Sequence, residues 1–387
     1  MQRLASDSAG TAILASTATS WLGTARMPRD LAHAGFRVVL VAPEGSLARS
    51  SRYVHRLHPV SARTGALAWI DAFADAVLRE RPRIVLPCDD TAFGLLQQIV
   101  AAPPRHLDAA RQLDLAALVV RSLGDPAHYA VSVDKTRVCA AAEAAGVRVP
   151  PYHVVETAAA ALEFARIHGW PVVLKRAQSS AGEGVAICTD SRALARAFEA
   201  LPGAATSGLQ AMRPRLVVQG HIHGRTRYFA GTAWQGSLLC GYAVDKLAGE
   251  ARGAASVVRY FRCDALEASA ATLASVFGAS GIFAPEYIVD ERTGDAYLVE
   301  INRRVTPGTH RGAFIGMSSA VALAAALGDM PSPQRTRLDD NEVHVYVSFP
   351  HEWLRDPGSP YLRDHPVDVP WDEPGLMAAM LALRRGR

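Results

Sequence analysis

The chain has 387 residues, 49% of them apolar and 20% charged, which describes a globular protein of about two to three domains and excludes a disordered one. The formal net charge is only +4, the basic residues are dispersed, and no basic run is interleaved with aromatics, so nucleic acid is not an expected partner. Cys88, Cys139, Cys188, Cys240 and Cys263 stand far apart with no CxxC pair, and no run of about 18 apolar residues exists, so a disulfide framework, a zinc site and a membrane span are not expected and a cytoplasmic protein with reduced thiols is.

The first 23 residues hold a short apolar run broken by Ser and Thr, and TAILAS reads as a first β-strand rather than the core of a signal peptide. A helix is expected around 24–33 with Gly35 at its end, followed by the buried strand FRVVLVA. WIDAFADAVLRERP is an amphipathic helix stopped by Pro82, and RIVLPCDD is another buried strand. Apolar strands alternating with helices predict a parallel α/β domain over residues 1–125, with its sheet covered on both faces. Only Gly23 follows the first strand and no GxGxxG is present, which disfavours dinucleotide binding. Asp89 and Asp90 end a strand, where open parallel sheets place ligands, although capping of the helix TAFGLLQQIV is the preferred role.

Residues 126–202 read as a small α/β unit. It contains a helix capped by Ser132 or Asp134 and ended by Gly146, then the extended VPPYHVV. A helix from Thr157 to Gly169, the strand PVVLKRA, a loop QSSAGEG, the strand VAICTD and a helix capped by Asp190 or Ser191 complete it. Residues 203–330 carry several strands, RLVVQGHI, RTRYFAGTAW, SLLCGYAVD and SVVRYFR, then one helix and a hairpin, and predict α+β structure around an antiparallel sheet. The tail, 331–387, holds a strand EVHVYVSF and a last short helix in a Pro- and Trp-bearing segment to which no chemistry is assigned.

The hairpin is the richest segment. Strands over 282–290 and 296–301 flank the turn ERTGD and carry Glu286 and Glu300, with Asn302 two residues further on. Residues i and i+2 of a strand share a face, so a hairpin would gather three hard oxygen donors, as Mg²⁺ needs when nucleotide phosphates complete its shell. An ordinary surface hairpin is the competing reading. Upstream, Lys175 ends the apolar strand PVVLK just before a loop with Gly182 and Gly184, where backbone N–H groups can approach phosphate closely and the lysine supplies charge. The GxxxxGK[ST] order of a Walker loop is absent, and a glycine-containing hairpin turn remains an alternative.

Taken in order, Asp134–Lys135 with AAEAAGVRVPP, then PVVLKRAQSSAGEGV, VVQGHIHG, APEYIVD and LVEINRR resemble the ATP-grasp superfamily, in its E-x-N-x-R subset. The resemblance spans about residues 125–315, and the alternating segment before it fits the domain that precedes an ATP-grasp core. It implies that Lys135 and Lys175 hold ATP phosphates under a lid formed by residues 179–184, including Ser180, Gly182, Glu183 and Gly184. It implies that Gln219, Gly220 and Ile222 receive adenine, and that Glu286, Glu300 and Asn302 bind Mg²⁺ or Mn²⁺. Arg304 falls where an arginine lies close to the acyl phosphate or the substrate carboxylate, with Arg303 and Arg311 as further candidates and His310 expected on a surface loop. Thr226 stands where an acid often serves the ribose hydroxyls.

The activity so implied is an ATP-dependent carboxylate–amine ligase acting through an acyl phosphate, on small-molecule carboxylate and amine substrates; the assembly is not readable from the sequence, although homodimers are common in families of this kind. A bicarbonate-activating carboxylase, a phosphotransferase and a catalytically silent nucleotide-binding regulator are the alternatives. Residues 46–53, the 246–256 stretch with Lys246 and Arg252, and residues 303–314 are the candidate substrate linings.

Overall fold

A computed structural model describes residues 9–61, 65–129, 134–176, 184–201, 216–249 and 254–382. The first unit runs β1 (Gly10–Ala15), α1 (Leu22–His33), β2 (Phe36–Pro43), β3 (Val54–Val60), α2 (Ala66–Glu80), β4 (Ile84–Pro87), α3 (Asp90–Ala101) and α4 (Ala109–Leu123). All strand pairings are parallel, in the order β3-β2-β1-β4. Alternate residues feed two cores, as a strand's two-residue period requires. Ile13, Val39 and Val85 face α2, α3 and α4, while Leu14, Leu40 and Leu86 face α1.

β3 was not expected from the polar VHRLHPV. It forms an edge strand whose Arg56 and His58 join Arg37 around buried Glu80. Burial pushes the Glu80 carboxyl up, but hydrogen bonds from Arg37 and His58 and the charges of Arg37 and Arg56 outweigh it and hold it at about 2. Because β2 and β3 lie to one side of β1 and β4 to the other, the strand order reverses between β1 and β4. The crevice outside the carboxyl ends at such a point is where open parallel sheets take ligands.

The next units contain α5 (Lys135–Ala144), β5 (Tyr152–Val155), α6 (Ala158–His168), β6 (Val172–Arg176), β7 (Val185–Cys188), α7 (Ser191–Ala200) and β8 (Leu216–Gly220). The four strands form an antiparallel sheet, β5-β8-β6-β7, with α6 and α7 on one face. The caps fall where the sequence places them: Thr157 accepts from Ala160 N at 3.2 Å and Asp190 from Ala193 N at 2.8 Å. The sequence boundary at 202/203 assigns β8 to the later strands, but β8 lies between β5 and β6. Its Leu216 and Val218 meet the same core as Phe164 and Leu194. Conversely α5, expected in this small unit, puts Val138 and Ala142 into the core of the next one.

That next unit is a six-stranded antiparallel sheet, made of β9 (Gly224–Trp234), β10 (Ser237–Gly249), β11 (Ala255–Phe261), β12 (Gly281–Asp290), β13 (Ala296–Asn302) and β14 (Val343–Val347) in the order β13-β12-β9-β10-β11-β14. α8 (Asp264–Val276) and α5 cover one face over Phe229, Phe283 and Tyr287. The other face presents Tyr242, Val244 and Tyr260 to Ile315, Met317 and Ala322, of the 3₁₀ segment Thr309–Ile315 and of α9 (Ser319–Leu327). The tail is no loose extension. β14 completes this sheet, and Leu376 and Met380 of α10 (Pro374–Ala382) enter the first unit's core beside Leu31 and Leu47. Among the described residues no single helix is long and apolar enough to cross a membrane.

Candidate functional site

The hairpin register puts Glu286 directly opposite Glu300 and Ala284 opposite Asn302. Paired residues of an antiparallel ladder project to the same face, so Glu286, Glu300 and Asn302 share one surface. A register shift follows Glu286, and Tyr287 and Leu298 are buried in the core with α8. All three oxygen-bearing side chains are half-buried. Two carboxylates and one amide oxygen are hard donors suited to Mg²⁺. Among the described residues no group of three or more His, Cys, Asp or Glu is placed to hold a metal, so a cation here would draw on the Asn302 oxygen and on ligand phosphate.

Tyr228 of β9 is the other cross-strand neighbour of Glu286. Burial and then nearby Tyr260 hold its phenol far above the usual range; Arg311 opposes this and Glu286 adds to it.

The small sheet supplies a second set. Lys175 at the end of β6 is buried, and its Nζ donates to Gln219 Oε1 at 2.7 Å. Gly184 opens the return to β7 at φ +73°, and its carbonyl accepts from Arg176 N at 3.0 Å. Gly220 ends β8 with its N–H donated to Pro151 O at 2.8 Å, and Ile222 lies half-buried in the link to β9. Asp134 caps α5, accepting from Thr136 N at 2.9 Å, and Lys135 is the first helical residue. The Lys135 side chain, Ser180, Gly182, Glu183 and Arg252 lie outside the described residues. Thr226 is exposed on β9 opposite Ile288.

Residues 303–306 leave the hairpin and cross the carboxyl edge of the parallel sheet. Val305 N donates to Pro87 O at 2.9 Å, and Trp21 Nε1 donates to Val305 O at 3.0 Å. A Cβ on Gly23 would come within 2.7 Å of Thr306 O, so this close approach requires glycine at the start of α1. Arg304 is buried here, with Nε on Asp90 Oδ1 at 2.8 Å and its guanidinium 4.8 Å from the Trp21 ring centre. Asp89 caps α3 and also accepts from Thr17 N at 2.7 Å and Ser16 Oγ at 2.8 Å, tying the ends of β1 and β4 together. Arg303 turns elsewhere: it donates to Leu123 O at the end of α4 and lies over Phe93, and burial pushes it down to about 10.

His310 is not on a surface loop. It is buried, with Nε2 3.1 Å from Asp368 Oδ2, and burial pushes it down to about 4. Arg311 beside it donates to Tyr260 Oη at 2.6 Å and to Asp368 Oδ2 at 3.1 Å. Burial opposes its charge, but Tyr260 and Asp368 outweigh burial and keep it protonated. Asp368 comes from the tail and carried no signal in the sequence: one acid in an irregular Pro-rich stretch. Arg26 of α1 donates to its backbone oxygen at 2.7 Å, so a single tail residue joins the first unit to the face of the large sheet that carries Tyr260.

Residues 134–222 match the family described as carbamoyl-phosphate synthase L chain, ATP binding domain. Comparison with curated proteins finds no match. Among solved structures, the chain is similar to the biotin carboxylase domain of Hydrogenobacter thermophilus 2-oxoglutarate carboxylase, crystallised as a dimer with MgADP, ADP and bicarbonate. The identity is 16%, over 86% of this chain and 73% of that one, with a TM-score of 0.65. It is also similar to an L-amino acid ligase from Bacillus licheniformis, at 14% identity over 84% and 78% of the two chains with a TM-score of 0.59. A carboxyaminoimidazole ribonucleotide synthase from Aspergillus clavatus, complexed with ATP, gives 15%, 88%, 82% and 0.61 in the same order. The chain has the ATP-grasp fold.

Proposed function

We propose that this protein is an ATP-dependent ligase that joins a small-molecule carboxylate to an amine through an acyl phosphate. The observation that carries this reading is the hairpin register, which sets Glu286 against Glu300 with Asn302 on the same face. These residues would hold Mg²⁺, or Mn²⁺ in its place, and the bound cation would offset charge on the phosphoryl group. Lys175 and Lys135 are assigned to the phosphates, with Ser180, Gly182, Glu183 and Gly184 as the loop over them. Gln219, Gly220 and Ile222 are assigned to the base.

In the first step a carboxylate oxygen of the acid attacks the γ-phosphorus, the bond to the bridging oxygen breaks, and ADP leaves. In the second step the amine nitrogen attacks the acyl carbon, phosphate leaves, and the amine proton passes to solvent. No protein nucleophile is required; positioning and fixed charge supply the catalysis. Arg304 is assigned to the acid or its acyl phosphate. It lies at the point where the parallel sheet reverses order, it already grips one carboxylate, Asp90, and a guanidinium cannot act as a base at neutral pH.

The likeness to an L-amino acid ligase supports the amide-forming outcome. The likeness to a carboxylase domain that holds bicarbonate supports a second reading, in which bicarbonate is the acid activated. That domain was crystallised as a dimer, so a homodimer is proposed for this chain, to be checked by sedimentation. The deciding experiment is incubation with Mg-ATP and pooled amino and organic acids, with ADP and phosphate measured. Release that needs both an acid and an amine supports the ligase. Release driven by bicarbonate alone replaces it with the carboxylase. A phosphorylated product without free phosphate makes it a phosphotransferase, and no turnover with retained nucleotide binding makes it a silent binder.

A further inference from the structure

Asp30 of α1 is a carboxylate set inside the joint between the first unit and α9. The residue is only 7% exposed. Ser318 Oγ donates to its Oδ1 at 2.8 Å, and the Ala320 N–H adds a weaker donation. Ser318 is committed elsewhere as the cap of α9: its hydroxyl accepts from Val321 N at 3.2 Å, and Gln334 holds its N–H and its carbonyl. Asp30 Oδ2 has no hydrogen-bond partner among the described residues.

Few charges bear on this carboxyl. Arg29, beside it on α1, lowers it slightly and is drawn off by Asp372 at 2.8 Å. α9 brings no titratable side chain. Cys240 of β10 is a neutral thiol, pushed up to about 11 by burial against a hydrogen bond with Thr232, with the charge of Asp30 adding to the rise. Arg26, His310 and Arg311 turn to Asp368, and Arg335 turns to Glu342. The positive end of α9 favours an anion, but a hydroxyl, one N–H and a helix end are less than a buried carboxylate needs. Burial therefore outweighs Ser318, Ala320 and Arg29 and pushes Asp30 up to about 6.

The joint lies between two functional segments. α1 starts where Gly23 meets Thr306 and Trp21 meets Val305, next to Arg304, and α9 follows the segment that carries His310 and Arg311. We propose that Asp30 is a proton-operated latch between α1 and α9: on mild acidification the buried carboxyl takes up a proton and the joint tightens, and at neutral pH its ionised form strains the joint.

The folded value is raised, so Asp30 carries no penalty below about 3.8, the penalty grows as pH rises to about 6, and it is complete above that. The test is urea unfolding of the intact protein and of Asp30→Asn between about pH 4 and about pH 8. Asparagine keeps an oxygen to accept from Ser318 and cannot ionise. The ratio of the two unfolding constants is expected to change by about a hundredfold across that range, in favour of the variant at the higher pH. His310 titrates in both proteins and cancels from the ratio. A ratio that stays within about twofold overturns the proposal, because Asp30 then ionises alike in the folded and unfolded chains. Hydrogen exchange gives the place. Corrected for intrinsic rate, the amides of 319–327 should be less protected in the natural protein than in the variant at the higher pH, and the gap should close near the lower. No gap at either pH overturns the latch. Should Asp30→Asn not fold, the carboxyl-carbon titration of isotopically labelled aspartate in the natural protein decides: a midpoint near 6 is expected, and one at or below about 4 overturns the proposal.

Discussion

The two edges of the six-stranded sheet are built in opposite ways. At one edge β12 and β13 form a hairpin closed by a five-residue turn, and the residues that meet are only 14 apart in sequence at Glu286 and Glu300. At the other edge β14 pairs with β11, and the residues that meet at Val257 and Val347 are 90 apart in sequence. It is held there by buried carboxylates of the tail. Asp368 takes His310 and Arg311, and Glu352, itself buried, takes Arg355 and a hydrogen bond from Ser256. The hairpin edge carries its acids on a half-exposed face. The β14 edge spends its acids inside, where they hold units together. Under the proposed function the same residue type would serve chemistry at one edge, while at the other it serves cohesion, and burial separates the two.

The sharpest way to break this contrast is to remove one acid from each edge. Asp368→Ala leaves Arg311 and His310 buried without their carboxylate and is expected to cost about 3–5 kcal/mol of stability, read as a lowered midpoint in urea. A change below about 1 kcal/mol would show that the tail does not anchor the edge. Glu300→Gln and Glu286→Gln should instead leave the urea midpoint nearly unchanged. Each should reduce Mg²⁺-dependent ADP formation by about a hundredfold, roughly 2.7 kcal/mol in the barrier. Near-normal turnover in both variants would refute a metal role for the hairpin.

Smaller effects refine the comparison at the hairpin's exit. Arg304→Lys loses the planar grip of the guanidinium and should lower kcat/KM by about tenfold or more while ADP binding is kept. Arg303→Lys, on the opposite side against Phe93 and Leu123 O, should chiefly lower stability. Equal activity losses in the two would remove the distinction between them.

The mildest expected effect is that of acid on the β14 edge. Hydrogen bonds from Arg335 and His344 hold Glu342 at about 2, and Arg355 holds Glu352 at about 2, against an ordinary value of 4.5. Their folded values are depressed, so their stabilisation is complete above about 4.5 and is lost as pH falls through about 2. Buried His310, pushed down to about 4, acts in the same direction: the fold favours its neutral form and weakens as pH falls from 6.5 through 4. Hydrogen exchange of the amides at 343–347 should therefore quicken in acid before that of β6 and β8. Uniform exchange across both sheets would argue against it.

The sequence by itself determined what depends on neighbours along the chain. The alternation of apolar strands and helices over 1–125, the caps at Thr157 and Asp190, the hairpin and its shared face of Glu286, Glu300 and Asn302 were all legible, because a period of two or 3.6 and a local turn leave a direct imprint. The ATP-grasp fold was legible through the order of its motifs. Tertiary structure alone decided where β8 and α5 belong, since a strand's partner and a helix's packing face are chosen by surfaces far away in sequence. It alone put His310 and Arg311 inside, turned Arg304 onto Asp90, and made the tail a structural edge through Asp368. Such charges reveal nothing in sequence. A buried ion pair is defined by its partner and its loss of water, and both arrive only when the chain is folded.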